Sequence, residues 1–111
     1  MVRAEPVRRG EVHLVGLEPT RGAEMRKTRP CVIVSPDELN THLLTVLVAP
    51  LSTAGNPYPF RIRCRFENRQ GLVVLDQIRA VDRERLVRRL GRLSPATLRR
   101  VIGTLQEMFE D

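Results

Sequence analysis

Residues Phe60–Phe66 read FRIRCRF, and their alternation is strict. Phe60, Ile62, Cys64 and Phe66 fall on one side of an extended chain, and Arg61, Arg63 and Arg65 on the other. A helix would scatter both sets around its axis, whereas a strand keeps them apart. One apolar and one charged face is the signature of a half-buried antiparallel strand. The chain must therefore provide further strands and a core behind them.

Several segments meet that need. Glu11–Leu17, EVHLVGL, reads as a strand. Cys31–Ser35, CVIVS, is a β-branched run with no polar interruption, as expected of a strand buried on both faces. Leu43–Leu51, LLTVLVAPL, is the most apolar stretch and a central-strand candidate, with Pro50 marking an edge or bulge. Leu72–Leu75 and Gln77–Val81 continue as strands around Asp76, and Val87–Leu93 is the last. Between them, Pro36–Asn40 and Asp82–Arg85 are each long enough for one helical turn. Glu67–Gly71 reads as a hairpin turn, and Ser52–Pro59 as a loop rich in turn formers. Glu18–Pro30 is a long polar loop with two prolines and six charged residues, the kind of loop that often carries function.

A single strong helix closes the chain. Ser94 suits the cap and Pro95 the first helical position. Leu98, Val101, Ile102, Leu105, Met108 and Phe109 follow at helical spacing as one apolar stripe. Helical patterns between the strands are too short for parallel crossovers. The expected fold is mainly β (α+β): a small antiparallel barrel with a C-terminal helix, one domain over residues 1–111.

Charge narrows the partners. Lys+Arg is 19 and Asp+Glu 13, a net charge of +6, and 18 of the basic residues are arginine. Arginine forks hold phosphates and stack on bases, so a nucleic acid fits. No apolar run spans a bilayer, and MVRAEPVRRG has no signal-peptide core, so no membrane partner and a cytoplasmic address are expected.

Familiar catalytic motifs are missing. There is no Walker loop, GxGxxG, HExxH or GxSxG. The 13 acids are scattered, which disfavours a metal-dependent nuclease. Cys31 and Cys64 form no CxxC pair and read as reduced packing thiols, and His13 and His42 are too isolated to complete a metal site. Neither a metal nor a cofactor is expected. The two histidines are also the residue type of an acid–base pair for RNA cleavage, but sequence does not bring them together. The arginine row Arg61/Arg63/Arg65 is either a solvated face or a surface that tracks a nucleic-acid backbone.

Four blocks carry a more specific signal. The first runs from Glu11 to Ser35 and holds Glu18-Pro19, Gly22-Ala23-Glu24 and Arg29-Pro30; the second is VLVAPLST, Val46–Thr53. The third is YPFRIRC, Tyr58–Cys64, and the fourth GLVVLDQIRAVDRERL, Gly71–Leu86. In order and spacing they resemble the MazF/PemK toxins over nearly the whole chain. The resemblance implies an SH3-like barrel with a C-terminal helix. It also implies a dimeric, metal-independent endoribonuclease toxin. Such a toxin cleaves single-stranded mRNA at short sequences by 2′-hydroxyl attack, leaving a 2′,3′-cyclic phosphate and a 5′-hydroxyl. An acidic MazE-like antitoxin would neutralise it.

By the same resemblance Arg29 matches the family's catalytic arginine, and either Ser52, preferred by register, or Thr53 its hydroxyl residue, with Thr53 otherwise an RNA contact. Arginine is a poor base, so charge stabilisation at the phosphorus is its expected role. Arg26, Lys27 and Arg79 are candidate phosphate contacts. Gln77 reads as a base-edge contact or a strand-pairing amide, Glu24 as a loop organiser or RNA contact, and Gly22 as a turn or close-approach position. The family often has an aromatic residue at His13 and Ser at Ala23. Two alternatives stand beside this reading: a non-catalytic nucleic-acid-binding barrel using the arginine row, and a gyrase-poison toxin. The second is disfavoured because the chain has no Trp and ends QEMFED.

Overall fold

A computed structural model describes residues 6–18, 22–23 and 27–111. Its strands are β1 (Glu11–Gly16), β2 (Thr28–Ile33), β3 (Thr45–Ser52), β4 (Arg61–Phe66), β5 (Arg69–Val74), β6 (Arg79–Asp82) and β7 (Leu86–Arg92). Helix α1 is Asp37–His42 and α2 is Pro95–Met108. All ladders are antiparallel, in the order β4-β5-β3-β2-β1-β7, with β6 also pairing β3. The fold is mainly β with a C-terminal helix, as expected, but the sheet is not closed: among the described residues no ladder joins β4 to β7. The two edges still approach, since a Cβ on Gly91 of β7 would lie 3.2 Å from the Phe66 ring of β4.

The bent sheet wraps two apolar clusters. One gathers Val12, Val32, Val34, Ala49, Cys64, Val73, Leu75, Leu93 and Val101, with Leu105 and Met108 of α2 packed on it. The other gathers Val7, Val15, Leu17, Cys31, Ile33, Val46, Val48 and Val81. This explains the uninterrupted CVIVS run: alternate residues of β2 enter opposite clusters, so both faces are buried. Burial of each Val or Ile stabilises by about 1.5–3 kcal/mol. Pro50 sits where β3 changes partner, from β6 (through Val48) to β5 (from Leu51), so its missing N–H interrupts neither ladder.

Several boundaries differ from the sequence expectations. β2 starts at Thr28, so Arg29 and Pro30 are strand residues paired with Val15 and Leu14, not loop residues. The hairpin turn shrinks to Glu67-Asn68, both at positive φ (51° and 61°), and Arg69–Gly71 belong to β5. Such a two-residue turn matches the twist of the flanking strands. Gln77 lies in a single 3₁₀ turn, Leu75–Gln77, ahead of β6. α1 runs two residues further than the single turn expected; Ser35 Oγ donates to Asn40 Oδ1 at 2.5 Å, and Asn40 Nδ2 to Ser35 O. Phe60 has φ 72° and precedes β4, and Phe109 follows α2 with 75% of its surface exposed; neither is core. Ser94 caps α2 as expected, accepting from the Thr97 N–H at 3.2 Å.

Candidate active site

Pairing of β2 with β3 brings the two halves of the site together. The ladder runs Ile33↔Val48, Val32↔Ala49 and Cys31↔Pro50, and Arg29 and Ser52 each lie two residues beyond its last pair. Both line one cleft of about 240 Å³, with Thr53, Leu51 and Pro30. The opposite wall comes from β4 and β5: Cys64, Phe66, Glu67, Arg69, Gln70 and Gly71. Leu51, Cys64 and Phe66 make that pocket partly apolar, while Arg29 and Arg69 outnumber Glu67 and make it cationic.

Gly71 lets the walls meet. A Cβ there would stand 2.7 Å from the Ser52 carbonyl oxygen, a backbone atom that has no free rotation to yield. β5 is thus drawn against the end of β3, where Ser52 pairs with Leu72. The Ser52 hydroxyl closes a local turn: it donates to the Ala54 carbonyl and accepts from the Ala54 N–H, both at 3.1 Å. Thr53 is exposed, and its hydroxyl has no partner among the described residues.

The base of the β1–β2 loop is held by arginines of β6 and the turn after it. Arg79 Nη1 donates to Leu17 O at 3.2 Å, and Arg85 Nη1 to Gly16 O at 3.2 Å and also to Glu18 O. The Glu18 carboxylate accepts from the Lys27 N–H at 2.9 Å, and Leu17 N–H donates to Lys27 O at 2.9 Å. Lys27 itself has φ 65°. Arg79 thus lies outside the cleft lining, although its charge, like that of Arg29, acts on the Cys31 thiol. Burial pushes that thiol up to about 12 against the pull of the two guanidiniums. Gln77 is also outside the cleft lining. Gly22 sits in an exposed turn at φ 57°, a left-handed conformation that suits glycine. Glu24 and Arg26 lie outside the described residues.

The arginine row of β4 is not uniformly open. Arg61 holds Asp76 through two hydrogen bonds of 2.8 Å, from Nε and Nη2, and its guanidinium lies 5.6 Å from the Tyr58 ring centre. This hydrogen bonding keeps the Asp76 carboxyl below its usual range despite partial burial. Only Arg63 and Arg65 remain exposed, which weakens the case for a three-arginine platform. His13 and His42 are far apart in role. His13 Nε2 meets the buried Glu11 carboxylate at 3.0 Å, whereas His42 sits on exposed α1 with Nδ1 against Glu38 O. Among the described residues no three His, Cys, Asp or Glu side chains converge as a metal site, and no helix is long and apolar enough to cross a membrane.

Residues 8–109 match the model of the PemK-like, MazF-like toxins of type II toxin–antitoxin systems. The chain belongs to this family. It is 31% identical over 105 residues to the endoribonuclease MazF of Staphylococcus epidermidis, covering 89% of this chain and 88% of the relative. Its fold is that of the MazF crystal structure from Deinococcus radiodurans, with a TM-score of 0.82 at 23% identity over 95% of this chain and 97% of that one. An endoribonuclease from a mycobacterial species, solved in complex with its cognate antitoxin, superposes with a TM-score of 0.74 at 24% identity over 94% and 93% of the chains.

Sequence reasoning anticipated Arg29, Ser52 and Thr53 of this PemK/MazF toxin's cleft but missed Glu67, Arg69 and Gln70 opposite them. The available signal was Gly71, read only as the end of a turn. A glycine inside a strand marks a close backbone approach, and here the approaching atom belongs to Ser52.

Proposed function

We propose that this toxin is a metal-independent endoribonuclease that cleaves single-stranded RNA in the cleft between the ends of β2, β3 and β5. The observation that carries the reading is that Arg29 and Ser52 line one cationic cleft, on the ends of the paired strands β2 and β3. Arg29 is held on a strand, two residues from the core residue Cys31, so its backbone is in place before substrate arrives.

The nucleophile belongs to the RNA. The 2′-oxygen forms a bond to the adjacent phosphorus, the bond from phosphorus to the 5′-oxygen breaks, and a 2′,3′-cyclic phosphate and a 5′-hydroxyl result. Negative charge gathers on the non-bridging oxygens, where the Arg29 fork places two donors. The hydroxyl of Ser52 exchanges its 3.1 Å bond to Ala54 O for a bond to a phosphate oxygen. Arg79 acts at the loop base through Leu17 O, and Lys27 and Arg26 supply positive charge along the loop. Two copies of the chain form the active toxin, and an acidic antitoxin segment competes with RNA for the cationic cleft. The net charge of +6 favours both polyanions.

The experiment is incubation of the purified protein with a long single-stranded RNA in EDTA, with both product ends mapped. Cuts at a short recurring sequence with cyclic-phosphate ends, absent in Arg29→Ala, support the reading. Equal cleavage by Arg29→Ala, or cleavage only with added metal, overturns the mechanism.

A further inference from the structure

The cleft does not stop at Ser52. A second cavity of about 180 Å³, bordered by Asn56, Arg63 and Leu72, shares Thr53, Gln70 and Gly71 with it. Gly71 is the low point between the two, because no side chain fits against Ser52 O. Gln70 stands beside that point, exposed, and its amide has no hydrogen-bond partner among the described residues. Its position is fixed by the backbone: the two-residue turn Glu67-Asn68 locks the pairs Phe66↔Arg69 and Arg65↔Gln70.

We propose that Gln70 is a base-reading residue of this site, meeting the edge of a nucleotide beside the scissile phosphate as the RNA crosses Gly71 between the two cavities. The inference rests on the ribonuclease reading above. A glutamine amide presents a donor and an acceptor side by side, the pattern that discriminates between bases. Unpaired bases offer their hydrogen-bonding edges to such groups. Arg69 borders the first cavity and Arg63 the second, so a guanidinium is available for a phosphate on either side of the crossing. Gln77, the amide that the sequence offered for a base edge, lines neither cavity.

The test compares wild type, Gln70→Ala, Gln70→Glu and Arg69→Gln, with the exposed α2 variant Arg99→Gln as a charge control. Each is incubated with a long single-stranded RNA and with oligonucleotides differing at one position, over a salt series in EDTA. Gln70→Ala is expected to keep the product ends but lose about 5- to 150-fold discrimination at one position, the range a lost bidentate base contact gives. Gln70→Glu, which only accepts, shifts preference there toward a base presenting donors. Arg69→Gln lowers the salt slope of kcat/KM by about 0.7 without changing sequence preference. Wild-type discrimination at every position in Gln70→Ala overturns the inference while leaving the ribonuclease intact. RNA left uncut by wild type overturns both.

Discussion

A β-carbon added to Gly71 would stand 2.7 Å from the carbonyl oxygen of Ser52. The obstacle is main chain, so Gly71→Ala must push β5 away from the end of β3. Overpacking of this kind costs about 1–3 kcal/mol. Urea denaturation is expected to show that loss, and RNA cleavage to fall at least tenfold because the two cleft walls separate. Unchanged stability and activity would contradict the close approach.

Two adjacent hydroxyls differ in what they touch. Ser52 is bonded to Ala54 on both sides, and Thr53 is exposed. Ser52→Ala is expected to lower kcat by about 10²-fold, as for loss of one transition-state donor. Thr53→Ala should stay within a few fold, and Ser52→Thr should restore activity. Single-turnover cleavage separates these cases; a reversed order assigns the catalytic hydroxyl to Thr53.

Glu11 is buried, yet its carboxylate is ringed by donors. Burial pushes its pKa up, but the His13 bond, the Arg8 N–H at 3.1 Å and Arg89 Nε at 3.0 Å together bring it below the usual carboxylate range. A carboxyl with a lowered folded pKa stabilises the protein above its unfolded pKa, and that stability is lost as pH falls through the folded value. Glu11→Gln is expected to cost about 1.5–3 kcal/mol at pH 7, the range for hydrogen bonds to a charged group. The gap from wild type should narrow as the pH drops through the usual carboxylate range and below it. Urea titrations at several pH values measure it, and a gap constant with pH would refute the linkage.

Cysteine chemistry should be quiet in the native state. Burial pushes the Cys31 thiol up to about 12 and raises that of Cys64 as well. At pH 8 a group with a pKa of 12 is thiolate in about one part in 10⁴. Iodoacetamide is therefore expected to leave Cys31 unlabelled in native protein, with both cysteines reacting in urea. Because Cys64 lines the cleft, bound RNA should slow its labelling further. Rapid native labelling of Cys31 would show that β2 opens.

A period-two pattern identified β4, an uninterrupted β-branched run the doubly buried β2, and cap chemistry α2, because those signals are local. Boundaries failed where tertiary pairing decided them. Thr28–Pro30 are polar or proline and look like loop, but β1 offers them a partner, and β2 extends. Gln77 opens the segment QIRAV, which reads as a strand, yet the chain turns there to pass from β5 to β6. In the cleft, the resemblance supplied Arg29 and Ser52, whereas Arg69 and Gln70 reach the site only through the β3–β5 register. The one local signal of that pairing was Gly71, whose missing side chain lets β5 approach Ser52.

β2 is a wall shared by two cores, and Arg29 stands at its open end. Its anchoring is therefore separate from the loop that leads into it. Loop length and sequence between β1 and β2 can drift with little effect on stability, while any slip of β2 would expose residues from both clusters at once. The architecture splits the evolutionary problem in two: the loop is free to diversify, while selection on folding alone keeps the backbone position of residue 29 in place.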